Sequence, residues 1–460
     1  MTDGHQPKPA VSPRAFPLRV GGCDRQLRFS QPGASVYLAG VNWGLATVGL
    51  VLLLVAAVSR RLSSTPITPA MVVVVIGVLV GPLVLDDLTV GPTSSTVRRL
   101  AEATLAVVLF SDSSRINLSV LRREASLPVR LIGIGLPLTI ALGALVALAL
   151  FGTFSLSEAL ILGVILAPTD AGLGSAVVTD PRLPQRVRQS LNVESGLNDG
   201  ICVPILLIVL ETTAGGASHA ASVIGEEIGF GLIGGIAAGA LAAEIVILAG
   251  ARHLIDDAWR QIIPVAAAGF AYGIAVALGG SGFIAAFTAG AVFGLMARET
   301  STTAMRFTEE TGALFNGITF LVFGAVLLGP ALEHVSWQIA LYAVLSLTIV
   351  RMLPVAISLW GAKARGPTVA FIGWFGPRGL ASIVFAVIVE DTSQIHAGAI
   401  LTACYLTVGL SVLVHGLSAA PLVSRYAGWY RTTARRRRPT MESEPAHEHR
   451  VRGPAAVPRS

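Results

Sequence analysis

Eight consecutive residues within a hydrophobic stretch hold the side chains best suited to ion chemistry: Asn192-Val193-Glu194-Ser195-Gly196-Leu197-Asn198-Asp199. In a helix, Ser195 and Asp199 lie one turn apart with Asn198 beside them, and Glu194 and Asn198 form a second such pair. A charge at the membrane centre costs about 2.5–3.5 kcal/mol on insertion scales, so two carboxylates there indicate a function. The carboxylate, hydroxyl and amide oxygens suit a hard monovalent cation, and Asp199 can bind either a cation or a proton. The alternative is a polar cluster that only joins helices.

A second hydrophobic stretch is interrupted by Pro168, which is followed by Thr169 and Asp170. Proline removes a backbone donor and disfavours helix at the preceding residue, so we expect a helix to break here at mid-membrane. Such a break is tolerated only where it lines a protein-enclosed or water-filled cavity. We therefore expect the oxygens of Thr169 and Asp170 to face the ion site. The alternative is a proline kink in which Asp170 accepts hydrogen bonds from stray amides.

A third stretch has the same kind of interruption, in the run Gly376-Pro377-Arg378-Gly379. An unpaired arginine is implausible at lipid depth, so Arg378 requires a partner. Glu194 is an acid that the cation site does not need. The sequence therefore predicts a structural ion pair between Glu194 and Arg378.

Composition places these residues in a membrane protein. The chain has 460 residues, of which 53% are hydrophobic and 13% charged, whereas soluble domains average about 25% charged residues. Windows of membrane-spanning length predict an all-α protein with about thirteen transmembrane helices, near 37–58, 66–85, 97–112, 127–151, 157–178, 190–211, 222–250, 259–278, 281–297, 309–329, 335–360, 366–389 and 397–420. The two interrupted windows, fifth and twelfth, occupy corresponding positions in the two halves. That arrangement is typical of inverted-repeat transporters with broken crossing helices.

Arginine distribution predicts the orientation. Alternate loops are rich in arginine, and the positive-inside rule places them in the cytoplasm together with the tail that contains Arg435–Arg438. The N-terminal tail, 1–36, is then outside, and the tail 426–460 is expected to be a disordered cytoplasmic segment. We expect the plasma membrane as the location. The net charge of +6 comes from membrane-flanking segments and does not indicate nucleic-acid binding.

Together the three motifs resemble those of the monovalent cation:proton antiporters of the NhaP/NHE type, in matching order over nearly all of 37–425. The asparagine–aspartate pair is the most specific element. The resemblance implies an NhaA/NhaP-like fold and a homodimer. It assigns helices of about 127–211 and 335–420 to a core, and those of about 37–112 and 222–329 to dimerisation. It also implies sodium or lithium exchange for protons by an elevator-like motion.

The resemblance also implies residue roles. Asp199 would bind the cation or the proton, with Ser195 and Thr169 as further sodium ligands. Glu194 and Arg378 would hold the core together. An asparagine before the aspartate, as Asn198 is here, goes with electroneutral one-for-one exchange, whereas electrogenic relatives have a second aspartate.

Two positions match the family pattern less closely. Relatives often have a site acid on the third span, where this chain offers Glu102 and Asp112. Glu102 is the candidate, and the sequence does not decide between the two. Arg351, in the eleventh span, also requires a partner, and a structural ion pair is the simplest expectation.

The predicted function is secondary antiport of Na⁺ or Li⁺ against H⁺ for pH and sodium homeostasis, without enzymatic activity and without a cofactor. The expected partners are cations, protons, the bilayer and a second copy. Potassium/proton antiport is the main alternative, because selectivity depends on cavity size and carbonyl placement. A cation channel and an organic-solute transporter are remote alternatives. An intramembrane serine protease, from Gly279-Gly280-Ser281-Gly282 and His415, is another.

Overall fold

The structure, a computed structural model, describes residues 34–62, 65–81, 95–116, 126–297, 301–390, 397–434 and 441–443. Every regular element in these ranges is helical. Within them, eight helices are long and apolar enough to cross a membrane, and four shorter apolar helices accompany them. Helices satisfy their own backbone hydrogen bonds, as a lipid environment requires. The predicted all-α membrane fold is confirmed, while the count of thirteen spans stays a prediction.

The main helices occur where the hydrophobic windows predict them. In chain order they are α1 (Ala34–Leu62), α2 (Pro69–Val80), α3 (Ser95–Ser114), α4 (Ser126–Leu150), α5 (Leu156–Ile165), α6 (Ser175–Val178), α7 (Gln185–Glu244), α8 (Asp257–Ala277), α9 (Gly282–Met296), α10 (Ser301–Val322), α11 (Trp337–Leu347), α12 (Ile349–Ser358), α13 (Gly366–Trp374), α14 (Leu380–Glu390) and α15 (Ala397–Trp429).

Both predicted interruptions are present, and each separates two helices. One lies between α5 and α6 and includes Pro168; the other lies between α13 and α14 and includes Pro377. The backbone N–H of Asp170 donates to the carbonyl of Pro377 at 2.8 Å. The two interruptions therefore lie directly against each other, as the broken crossing helices of an inverted-repeat transporter require.

The eleventh predicted window, 335–360, is divided where the sequence does not indicate a break. Thr348, with φ −110° and ψ −90°, separates α11 from α12. Neither proline nor glycine marks this position. The division places Arg351 in the first turn of α12.

The sixth and seventh predicted windows, 190–211 and 222–250, lie in one helical element. α7 is helical from Gln185 to Glu244 and contains two candidate spans, Gln185–Thr213 and Gly225–Ala249. Both spans pack on α9, since Gly200 lies against Phe287 and Gly235 lies against Ala285. The helical residues that join the spans were not predicted.

Packing connects the two predicted parts of the molecule. α9 and α3, both assigned to dimerisation by the family resemblance, pack on each other, and α3 also contacts α14 of the predicted core. The division into core and dimerisation helices stays a prediction.

The C-terminal segment differs from the prediction of disorder over 426–460. α15 continues to Trp429, and a short 3₁₀ turn follows at Met441–Ser443. Met441 is 3% exposed because it joins an apolar cluster with Phe371 and Tyr426, and Glu442 is 2% exposed. Burial of these side chains offsets the entropy of ordering the chain. The remaining tail residues, including Arg435–Arg438, and residues 1–33 of the predicted N-terminal tail lie outside the described ranges.

Candidate functional site

The predicted polar face of α7 contacts the interruption after α5 directly. The Ser195 hydroxyl donates to the Thr169 carbonyl at 2.6 Å and accepts from the Ala171 N–H at 2.7 Å. One turn further, the Asn198 amide donates to the Thr169 hydroxyl at 2.8 Å. Asp199 is next on the helix and is 7% exposed. Thr169, Ser195 and Asn198 thus meet in one buried place because the helical repeat of α7 presents Ser195 and Asn198 to the same non-helical backbone, and Asp199 is buried next to them along the chain.

A small cavity lies at this meeting point. Its volume is about 10 Å³, close to the smallest space that holds one water molecule. Thr169, Asp170 and Ser195 line it from one side, and Phe375 and Pro377 line it from the other interruption. The cavity is therefore of a size for one water molecule. Asp170 is the acidic residue that lines it, whereas Asp199 lies outside its lining.

Asp170 binds backbone amides of both interruptions. Its Oδ1 accepts from the Gly172 N–H at 2.7 Å, and its Oδ2 accepts from the Leu380 N–H at 3.2 Å. Leu380 is the first residue of α14, so a carboxylate lies at the positive end of that helix, where it is stabilising. The structure thus favours the alternative for Asp170, a cap on free amides, over its predicted role as an ion ligand.

Arg378, in the second interruption, binds backbone groups of the first interruption. Its Nη1 donates to the carbonyls of Ala167 at 2.7 Å and Pro168 at 3.1 Å, just beyond the end of α5. The last carbonyls of a helix have no partners within it and carry partial negative charge. The Arg378 guanidinium, which is 0% exposed, therefore lies just beyond the negative end of α5, and the Asp170 carboxylate lies at the positive end of α14.

The predicted Glu194–Arg378 ion pair requires correction. Glu194 binds Arg351 instead, in a two-pronged pair with Nη1–Oε1 at 2.5 Å and Nη2–Oε2 at 3.0 Å, and both side chains are buried. Arg378 binds backbone carbonyls rather than a side-chain acid, and the sequence does not show which carbonyls a helix break leaves free. The structural ion pair expected for Arg351 is present, and Glu194 is the partner that the sequence did not identify.

The two glycines beside Pro377 permit these close contacts. A Cβ atom on Gly376 would collide with the Arg351 guanidinium, and a Cβ atom on Gly379 would collide with the Asp170 carboxylate. Both charged groups therefore approach the backbone of the second interruption because it lacks side chains at these positions.

The structure distinguishes the two acids of α3. Asp112 lies beside the site helix, since its Cβ is 3.5 Å from where a Cβ on Gly196 would be. Glu102 accepts a hydrogen bond from Arg98 at 2.7 Å and is about 15 Å along the helix axis from Asp112. The structure favours Asp112 over the predicted Glu102 as the α3 acid near the site.

The serine and histidine of the protease alternative are engaged separately. Ser281 accepts a hydrogen bond from the Ile284 N–H and caps α9. A ring nitrogen of His415 lies 2.9 Å from the Trp374 carbonyl, at the end of α13. These contacts give each residue a structural role in a different part of the fold.

Comparison with known proteins agrees with this geometry. Residues 49–425 match the model of the transmembrane sodium/hydrogen exchanger family. A K⁺/H⁺ antiporter NhaP from Alkalimonas amylolytica is 24% identical over 84% of this chain and 67% of its own length. A Na⁺/H⁺ antiporter from Schizosaccharomyces pombe is 27% identical over 53% of this chain and 56% of its own length. The chain thus spans about half to two thirds of the length of these relatives.

Among solved structures, the sodium proton antiporter MjNhaP1 from Methanocaldococcus jannaschii at pH 8 has a similar fold. The TM-score is 0.69 at 20% identity, and the match covers 85% of this chain and 100% of that one. The fold is therefore NhaP-like. With a family match over most of its length, the chain belongs to the transmembrane sodium/hydrogen exchanger family.

Proposed function

We propose that this protein is a secondary antiporter that exchanges one Na⁺ or Li⁺ for one H⁺ and acts in pH and sodium homeostasis. Family membership supports the transport class. The observation that supports the site is the contact of Ser195 and Asn198 with Thr169 at the crossing of two broken helices, with Asp199 beside them. The transported ions are its only proposed small-molecule ligands, and it has no enzymatic step.

Competition at Asp199 couples the two fluxes in this proposal. The carboxylate binds either a cation, assisted by the oxygens of Ser195 and Thr169, or a proton. The other two charged groups of the crossing each lie near a helix end of opposite partial charge, Asp170 at the start of α14 and Arg378 beyond the end of α5. Moving an uncompensated Asp199 carboxylate past apolar surface costs several kcal/mol. Only the loaded core therefore crosses, and the proton gradient drives sodium out.

The protein works as a homodimer in the plasma membrane, with its N-terminus outside and its C-terminus in the cytoplasm. The asymmetry of arginine between alternate loops supports this orientation.

The test is proton flux in reconstituted vesicles with an imposed pH gradient, for wild type, Asp199→Asn and Asp257→Asn. Asp257 is a matched control because its side chain is 84% exposed. We expect sodium or lithium to collapse the gradient in wild type and Asp257→Asn, and not in Asp199→Asn. A potassium–valinomycin clamp should leave the sodium rate unchanged if exchange is electroneutral. Sodium-dependent flux in Asp199→Asn would refute the role of Asp199.

Potassium/proton antiport is the second candidate, because relatives from Alkalimonas amylolytica and Shewanella oneidensis are named K⁺/H⁺ antiporters. The same vesicles decide between the cations. Gradient collapse by potassium alone would keep the mechanism and change the substrate, whereas collapse by no cation would refute antiport itself.

A further inference from the structure

Two side chains of α15 contact the interruption between α13 and α14, and the antiport proposal does not use them. Ser411 and His415 are four residues apart, so they lie on the same face of α15. Ser411 is 0% exposed and His415 is 2% exposed. Polar groups buried this deeply in a membrane protein require hydrogen-bond partners.

Their partners lie on opposite sides of the interruption. The Arg378 backbone N–H donates to the Ser411 hydroxyl at 2.7 Å. His415 Nε2 lies 2.9 Å from the carbonyl of Trp374, the last residue of α13. The Ser411 hydroxyl lies 3.3 Å from His415 Nδ1, and the Ser411 carbonyl lies 3.0 Å from the same nitrogen. Each carbonyl can only accept, so the single proton of a neutral imidazole serves one of them. We assign it to Nε2, whose carbonyl is the nearer, which leaves Nδ1 to accept from the Ser411 hydroxyl and links the two contacts into one chain.

These contacts fix a turn that is also held by the burial of Phe375 and by the Asp170 N–H bound to the Pro377 carbonyl. Phe375, with φ −83° and ψ 59°, forms a tight turn in which the Gly376 N–H donates to the Trp374 carbonyl at 2.9 Å. His415 supplies the second hydrogen bond to that carbonyl. Without His415, the second lone pair of the Trp374 carbonyl would be left unsatisfied at a helix end within the membrane.

The turn also forms one wall of the cavity beside two of the proposed site residues. Phe375 and Pro377 line the cavity opposite Thr169 and Ser195. Arg378, whose N–H is bound by Ser411, extends its guanidinium to the end of α5. Displacement of the turn would therefore move one wall of the cavity and one of the charges that balance the crossing.

We propose that Ser411 and His415 are positioning residues for ion exchange: they hold Trp374 and Arg378 on either side of the interruption and so keep the cavity in its cation-binding shape. This inference rests on the proposed antiport function. The hydrogen bond from His415 Nε2 to the Trp374 carbonyl is the decisive contact.

Three substitutions of His415 test its contacts with Trp374 and with Ser411 separately. His415→Gln places an amide N–H near the Nε2 position and keeps the donor to Trp374. His415→Asn places its amide near Nδ1, so it reaches only the Ser411 side. His415→Met fills a similar volume without a donor. Thr402→Val is the control, because Thr402 is on the same helix and its hydroxyl bonds only locally, to the Gly398 carbonyl at 2.8 Å.

The measurements are the apparent KM for the transported cation and the maximal rate in vesicles, with thermal unfolding in detergent. We expect His415→Asn and His415→Met to raise the KM about tenfold, as loss of one buried hydrogen bond predicts, with a smaller change in maximal rate. His415→Gln and Thr402→Val should stay within about twofold of wild type. Ser411→Ala, which removes the acceptor for the Arg378 N–H, should raise the KM as well.

Two results would overturn the proposal. One is an unchanged KM in His415→Met, even with a lower melting temperature, because the histidine would then only stabilise the fold. The other is a His415→Gln protein as impaired as His415→Met, because the donor to Trp374 would then be irrelevant. Failure of antiport itself is distinguishable, since wild type would then exchange no cation.

Discussion

At the residue scale, charged side chains in this fold are neutralised by different kinds of partner. Glu194 binds a guanidinium, whereas Arg378 and Asp170 bind backbone groups at helix ends. Burying an ion pair costs desolvation energy for both members, and removing one member leaves the other uncompensated. The partner of a buried charge can therefore be identified from the second substitution that restores the stability lost in the first.

Glu194→Gln should lower stability by about 3–5 kcal/mol because it leaves the Arg351 charge buried without its carboxylate. Adding Arg351→Met should restore much of that loss, since the double variant buries neither charge. Adding Arg378→Met should not restore it, because Arg378 binds the carbonyls of Ala167 and Pro168. Unfolding of the single and double variants in detergent gives two double-mutant cycles. One measures the coupling free energy of Glu194 with Arg351, and the other that of Glu194 with Arg378. A larger coupling of Glu194 with Arg378 than with Arg351 would contradict the pairing in the structure.

At the element scale, the fold depends on two segments of the chain whose backbone cannot be helical. Proline marks both, and the sequence therefore predicts the interruptions, their contact with the α7 face and the residues Thr169 and Ser195. The break at Thr348 escapes prediction because it has neither proline nor glycine. The partners of Arg378 escape it too, because they are carbonyls that become available only when two distant helix ends meet in space. For Asp170 the sequence offers backbone amides as an alternative, without saying which amides they are.

Gly379→Ala tests the contact between the two interruptions. Its Cβ would collide with the Asp170 carboxylate that caps α14. We expect a stability loss of about 1–3 kcal/mol from overpacking, together with a reduced exchange rate because Asp170 is displaced from the crossing.

Gly269→Ala is the matched control, since its added Cβ meets no atom within 4 Å among the described residues. In a helix this change stabilises by about 0.5–1 kcal/mol. Thermal unfolding and vesicle exchange measure both variants. A Gly379→Ala protein that is as stable and as active as wild type would show that Asp170 does not need this close approach.

At the scale of the whole molecule, the C-terminal 3₁₀ turn joins helices that are distant in sequence. The Glu442 carboxylate accepts hydrogen bonds from the Arg365 N–H at 2.9 Å and from the Thr368 hydroxyl at 2.5 Å. Tyr430, just beyond α15, donates to the Glu442 carbonyl at 3.1 Å. The sequence predicts disorder here because a short polar segment has no periodicity, and its partners on α7, α13 and α15 come together only in the folded protein.

Glu442→Ala should release the amides at the start of α13, because the Arg365 N–H loses its acceptor and Thr368 loses a hydrogen-bond partner. We expect hydrogen–deuterium exchange to become faster in the peptide that covers residues 363–371, while peptides of α7 around Asp199 keep their protection. Glu444→Ala is the control, since it removes the same charge two residues later in the chain. Equal exchange in the two variants would mean that the segment does not hold the start of α13. Faster exchange only in Glu442→Ala would establish the tail as part of the folded molecule and connect it to the half-helix that ends at the ion site.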